Sequence, residues 1–359
     1  MLSSVFSSAW TVILTLLIFG LLITLHELGH YTVARLFGVG IREFSVGMGP
    51  AIHTWKGKHN DISLRWLPIG GYVSMVGEAP DDERQPGDEG KAGLNEKPVW
   101  QRLLVVLAGP FTNILLAFVV MVIVISCLPA SRIGSTTVAR FDENAITKDC
   151  GLMENDEIIE IDGTPIHVTY DLTTVVALRG KNPLEVKVLR NGEEVTLNVQ
   201  FPSEVASGIA MGTIDFTIYR VEKTFGEVLY QAFWQPVSFI KSTLESLWRT
   251  FAGEYGWEAV SGPVGVGEQI GEIVDQSEGI GETAVNLATM GVLISISLGI
   301  CNLLPLPVLD GGRAVIYIIE GIRRKPLNPK IEAGISAACM IILLGFMLFV
   351  TIKDVVGLF

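Results

Sequence analysis

Long uncharged runs punctuate the chain. Four are long enough to cross a bilayer: Ala9 to Leu25, extended by the turn that carries His26 and His30; Leu103 to Ser131; Thr283 to Leu309; and Ala333 to Ile352. Each predicts a membrane-spanning helix, and an even number places both termini on one side. Between the runs the period changes. Ile41 to Met48, Ala51 to Trp55 and Ile62 to Met75 are rich in β-branched and aromatic residues, and Lys56-Gly57-Lys58-His59-Asn60-Asp61 has turn chemistry, so a β-hairpin or small sheet is expected just after the first span. Glu78 to Lys97, charged and containing Pro and Gly, reads as a mobile loop. Short strands are predicted at Thr136 to Ala139, Glu157 to Ile161, Leu184 to Leu189 and Glu194 to Val199, with Asn191-Gly192 as a hairpin turn. Phe225, Leu229, Phe233, Val237, Ile240, Leu244, Leu247 and Phe251 then recur at helical spacing, with Lys241, Glu245 and Arg249 among them. This predicts an amphipathic helix, packed on its own protein or lying on the outer face of the membrane, where Trp234 and Trp248 would suit.

Composition agrees with membrane residence. With 49% hydrophobic residues among 359 and a mean hydropathy of +0.45, the chain is too apolar for an ordinary soluble enzyme. A net charge of -12 without a basic stripe argues against a nucleic-acid partner. Cys127, Cys301 and Cys339 fall in apolar runs and Cys150 in a polar region, which reads as structural thiols and no disulfide framework. The N-terminus has no basic region or small-residue cleavage site, so the first run is expected to be retained. Lys and Arg collect between the first two spans, from Arg35 to Arg102, and between the last two, from Arg313 to Lys330. The positive-inside rule puts these loops in the cytoplasm and both termini outside. The expected divisions are a first span, 1-31; a cytoplasmic-side β-element and loop, 32-100; a second span, 101-131; an extracytoplasmic unit, 134-220; an amphipathic region, 221-282; a third span with an unwound end, 283-312; and a loop with a fourth span, 313-359.

Candidate chemistry sits at the inner end of the first span, in Leu25-His26-Glu27-Leu28-Gly29-His30. A glutamate at the bilayer centre costs roughly 2.5 to 3.5 kcal/mol on insertion scales, so its presence asks for a reason. On a helix His26 and His30 share one face and can bind one Zn²⁺, while Glu27 on the adjoining face can reach a water at the metal. The third span ends in Asn302-Leu303-Leu304-Pro305-Leu306-Pro307-Val308-Leu309-Asp310-Gly311-Gly312, which two prolines force to unwind; backbone unwound at membrane depth must line a cavity. Asp310 is the best-placed third ligand, and Asn302 is a candidate donor to the oxyanion or the substrate backbone, or an interhelical hydrogen bond. Asn113, in the second span, reads as a helix-packing residue.

Cys150 through Ile166 resembles the core of a PDZ domain, with Asn155 where that family usually has Gly; no carboxylate-binding loop is evident. Taken whole, the chain resembles the bacterial site-2 proteases of the regulator of sigma-E type. The likeness rests on His26 to His30, Phe44 to Pro50, Leu67 to Val73, Ala108 to Asn113 and Asn302 to Gly312, with Met48 where Phe is usual. It implies an α-helical membrane protein of the bacterial inner membrane that cleaves single-span proteins, such as anti-sigma factors, after an extracytoplasmic protease has trimmed them. Signal-peptide remnants present the same chemistry. It further implies zinc on His26, His30 and Asp310, Glu27 as general base, and a β-element at the active site, where Gly70, Gly71 and Tyr72 are candidate substrate contacts. The rival expectation is a non-proteolytic, PDZ-bearing membrane scaffold with a structural or vestigial metal site. A metal transporter is weaker, since the four runs hold no further ionisable residues.

Overall fold

The computed structural model describes residues 2-78, 82-129, 133-206, 209-254 and 260-357. The chain forms two compact units, residues 1-117 with 261-359, and residues 118-260. Among the described residues four helices are long and apolar enough to cross a membrane: Trp10–Leu36, Val99–Cys127, Ile280–Asn302 and Pro329–Gly357.

In the first unit helix α1 (Leu2–Leu36) leads into strands β1 (Ile41–Lys56) and β2 (Asp61–Met75). The two strands are longer than a simple hairpin and fold back on themselves. Phe44 pairs with both Val73 and Ile62, and Ser45 with both Tyr72 and Ser63. Phe44, Val73 and Met75 join Ala34, Val39 and Leu94 in one buried cluster that fixes the sheet to the end of α1. The segment expected to be mobile is tied down. Arg42 pairs with Asp82 at 2.9 Å and Asp88 at 2.8 Å, and Leu94 is fully buried; residues 79-81 of that segment lie outside the described residues. Low apolar content misleads here, because a charged segment can be ordered by one guanidinium with enough partners.

Helix α2 (Val99–Cys127) begins in this unit and passes into the second, where β3 (Gly134–Phe141), α3 (Ile146–Asp149), β4 (Glu157–Ile161), β5 (Thr164–Pro165), α4 (Thr169–Arg179), β6 (Leu184–Arg190), β7 (Glu193–Val199), β8 (Ser203–Ala206), β9 (Ile209–Gly212), β10 (Phe216–Arg220) and α5 (Phe225–Phe251) follow. The last residues of the second span as read from sequence, up to Ser131, lie partly outside the described residues. Strands run in the order β10-β3-β4-β6-β7, with β5 beside β4. Their inward positions, among them Val138, Ile158, Val186 and Val188, make a fully buried core with Phe201, just past β7, and with Leu172 and Val176 of α4. Asn155 holds φ at 73°, as a glycine-like position requires, and Asn191-Gly192 turns between β6 and β7 with both φ angles positive. Helix α5 is fastened to α4 by the Arg179 guanidinium on Glu245, at 2.8 and 2.7 Å.

A buried carboxylate closes the edge of this sheet. Asp215 accepts from the backbone N–H groups of Ile146, at 2.7 Å, and Thr147, at 3.2 Å, and from the Thr147 hydroxyl. Asp215→Ala strands these donors and is expected to cost about 2–3 kcal/mol, read as a lower denaturant midpoint of the purified protein.

The first unit resumes with α6 (Pro263–Gln276), α7 (Ile280–Asn302), α8 (Asp310–Arg323) and α9 (Pro329–Gly357). The amphipathic region read as 221-282 is therefore two helices, α5 and α6, in different units; residues 255-259 between them lie outside the described residues. Asp354 of α9 caps α6 by accepting from Gly262 and Gly265 N–H, at 2.8 and 3.0 Å. The other face of α6 packs on α1, with Gly267 and Gly271 opposite Thr15 and Thr11. The early turns of α1 and the last turn of α9 thus meet the same short helix. Helix α8 occupies residues expected to be loop. Its charges at Asp310, Arg313, Glu320 and Arg323 break any apolar run, yet Ala314, Tyr317 and Glu320 are buried on one face. Arg102 of α2 pairs with Glu320 at 2.8 Å and lies over the Tyr317 ring.

Candidate metal centre

His26 and His30 are one turn apart on α1, and both are only 6% exposed. Their Nε2 atoms approach to 3.2 Å, with the rings edge to face. The third member arrives from far along the chain. Helix α7 stops at Asn302, residues 303-309 turn through Pro305 and Pro307, and α8 restarts at Asp310. The first turn of α8 lies so close to this bend that a Cβ on Gly311 or Gly312 would sit 2.1 Å from the carbonyl oxygen of Leu303 or Leu306. Only glycine fits there. Asp310 Oδ2 then lies 3.0 Å from His26 Nε2 and 3.3 Å from His30 Nε2.

Three donor atoms with mutual separations of 3.0, 3.2 and 3.3 Å form one face of a tetrahedron. Zinc bonded to nitrogen and oxygen at about 2.0–2.2 Å needs ligand separations of roughly 3.3 Å, so the trio fits the ion with little adjustment. Two imidazoles and one carboxylate, with no thiolate, are the donor set of a catalytic site that keeps one position open. Among the described residues no other trio of His, Cys, Asp or Glu converges in this way. The open side faces a cavity of about 290 Å³ lined by His26, Glu27, Asn302 and Asp310, with Ile23 and Leu298 as apolar wall.

Of the residues singled out from sequence, His26, His30, Asp310, Glu27 and Asn302 are thus brought together. Gly70, Gly71 and Tyr72 stand beside the site and do not line this cavity. Gly70 packs against Ile23, Gly71 against Thr24 and the Ser45 carbonyl, and the Tyr72 hydroxyl is taken up by donating to Glu43 Oε2 at 2.7 Å. What β2 does supply is the N–H of Val73, which donates to Glu27 Oε2 at 3.1 Å.

Helix α2 supplies what sequence reading missed. The Val105 carbonyl oxygen is 2.8 Å from His30 Nδ1, and Asn113 Nδ2 is 3.1 Å from His26 Nδ1, so each imidazole is gripped from behind. Gly109 lies between them, where a Cβ would come within 2.3 Å of His30 Nε2 and 2.7 Å of His26 Nε2. Gly109-Pro110-Phe111-Thr112-Asn113 stood out in the sequence, but nothing in one sequence tells which face of α2 meets the histidines.

Comparison with known proteins agrees with this geometry. Residues 14-346 match peptidase family M50. The metalloprotease MmpA of Caulobacter vibrioides is 30% identical, over 94% of both chains. The regulator of sigma-W protease RasP of Bacillus subtilis is 29% identical, over 97% of this chain and 99% of its own. The zinc metalloprotease RasP of Bacillus licheniformis is 28% identical with the same coverage. With His26, His30 and Asp310 converging beside a cavity that Glu27 lines, and a family match over nearly its whole length, the chain belongs to peptidase family M50, the site-2 proteases, as a zinc metalloendopeptidase of the membrane.

Proposed function

We propose that His26, His30 and Asp310 hold the zinc and that Glu27 is the general base of peptide-bond hydrolysis in single-span membrane proteins. The observation that carries this reading is the 3.0–3.3 Å triangle of donor atoms opening on the cavity that Glu27 lines. When bound, zinc supplies Lewis acidity toward the scissile carbonyl and brings the pKa of water at the site to about 7. Glu27 takes a proton from the attacking water as its oxygen bonds to the carbonyl carbon. The C–N bond then breaks, and the same carboxylate returns the proton to the leaving amine nitrogen. The Asn302 amide, in the same cavity, donates to the oxyanion or to the substrate backbone.

A peptide bond inside a helix is shielded by its own hydrogen bonds, so the substrate must be extended at the site. The edge of β2 around Gly70, Gly71 and Tyr72 can take an extended strand. In support, the Val73 N–H at that edge points to Glu27. Residues 134-220 are PDZ-like, supported by the positive φ of Asn155, and act as an extracytoplasmic size filter for substrates that another protease has trimmed. Both termini lie on the extracytoplasmic side of the bacterial inner membrane, a reading supported by the contact of α6 with both α1 and α9. The name of the Bacillus subtilis relative favours anti-sigma-factor-like substrates over signal-peptide remnants. The domain boundaries 1-31, 32-100, 101-131, 134-220, 221-282, 283-312 and 313-359 are proposed in outline, with α8 added at 310-323.

The test is cleavage of a tagged single-span protein lacking its outer domain by the purified enzyme in lipid. Stripping the metal with a chelator is expected to abolish cleavage, and one equivalent of zinc to restore it. Cleavage that survives complete zinc removal would overturn the assignment.

A further inference from the structure

The two histidines of the centre have different groups behind them. His30 Nδ1 faces a backbone carbonyl, that of Val105, at 2.8 Å, whereas His26 Nδ1 faces the side-chain carboxamide of Asn113 at 3.1 Å. A carbonyl can only accept, but a carboxamide offers an acceptor at one end and donors at the other. An imidazole that binds metal through Nε2 carries its proton on Nδ1, and that proton needs an acceptor. The Val105 carbonyl therefore favours the His30 tautomer whose Nε2 can bind a metal.

His26 is not so constrained. With Asn113 Nδ2 toward it, His26 Nδ1 can only accept, which would put the ring proton on Nε2, 3.0 Å from Asp310 Oδ2. In this form Nε2 has no lone pair to give. Asn113 is fully buried, and among the described residues its Oδ1 has no hydrogen-bond partner. Turning the carboxamide by 180° exchanges the two ends within the same space and gives Nδ1–H the acceptor it needs. The backbone at this point is held separately, because the Ser295 hydroxyl of α7 donates to the Asn113 carbonyl at 2.8 Å. The side chain can turn without the helix moving.

We infer that Asn113 is the positioning residue that selects the tautomer of His26: with its carboxamide oxygen turned to Nδ1–H, Nε2 keeps the lone pair that a metal needs. The two tautomers of His26 carry the same charge, so selecting one creates no charge in the buried site. The inference rests on His26, His30 and Asp310 being the ligands.

Two near-isosteric variants test it. Asn113→Asp presents only acceptors and locks His26 in the ligating form. Asn113→Leu fills the same volume and leaves Nδ1–H without a partner. Zinc affinity is measured on the full-length purified protein by competition with a chelator of known affinity, with Co²⁺ absorption as a second readout of the ligand geometry. Asn113→Leu is expected to weaken zinc about 10–100-fold, the usual effect of removing the group behind a ligating histidine, and Asn113→Asp to bind at least as tightly as wild type. A packing role predicts the reverse order, since a buried carboxylate disturbs an apolar helix interface more than leucine does. Asn113→Leu binding zinc like wild type would overturn the inference, and so would equal losses in both variants. Wild type that holds no zinc would instead overturn the ligand trio itself.

Discussion

Glu27→Gln is expected to lose cleavage by about 10²–10⁴-fold, the usual worth of a positioned general base, while zinc content stays at that of wild type. Glu27 lies between His26 and His30 in sequence but projects to another face of α1, into the cavity with Asn302. The Val73 N–H donates to Glu27 Oε2, and the amide oxygen of Gln can accept it equally well. The substitution therefore keeps shape and orientation and removes basicity alone. Zinc stoichiometry of the purified variant, measured beside cleavage of the trimmed single-span protein, separates the two roles. Retained proteolysis would remove Glu27 from the mechanism. Loss of zinc together with activity would mean that this carboxylate helps to hold the metal.

The expected contrast between ligand and base arises from how α1 is read. Helical spacing alone puts His26 and His30 on one face, and the unbroken apolar run before them makes a solvated surface pair an inadequate account. The prolines at 305 and 307 likewise announce a break, and the acid just past it stands as a candidate ligand. These are local rules, and they carried as far as the trio. They could not carry to α8. Its buried face is short and interrupted by Arg313 and Glu320, whose partners, Glu78 and Arg102, come from distant segments. The same holds for the segment around Arg42, where tertiary ion pairs order a stretch that composition marks as mobile. The groups behind the histidines were invisible for a related reason. A carbonyl at Val105 and a hydrogen atom at Gly109 carry no side-chain signature, and only the packing of α2 on α1 gives them a role.

Gly109→Ala is expected to lose both zinc and cleavage, although alanine is the better helix former by about 0.8–1.0 kcal/mol. The added methyl would lie 2.3 Å from His30 Nε2 and 2.7 Å from His26 Nε2, well inside contact distance of both donor atoms. Neither ring can retreat, because His30 is bound to the Val105 carbonyl and His26 to Asn113. Helix α2 cannot withdraw cheaply either. On its far side Gly299 of α7 packs against the Pro110 carbonyl, and Ser295 holds that of Asn113. The strain must then be relieved at the donor triangle, and a shift of the order of 1 Å in a reacting geometry is enough for about a 10²-fold loss. Gly291→Ala on α7, where a Cβ meets nothing within 4 Å, is the matched control and is expected to keep zinc and activity. Zinc content, cleavage rate and thermal melting of the two variants together decide the matter. A stable Gly109→Ala protein without zinc identifies the glycine as the space the imidazoles need, whereas one that binds zinc and cleaves like wild type would show that α2 yields at this point and that its close approach is not required.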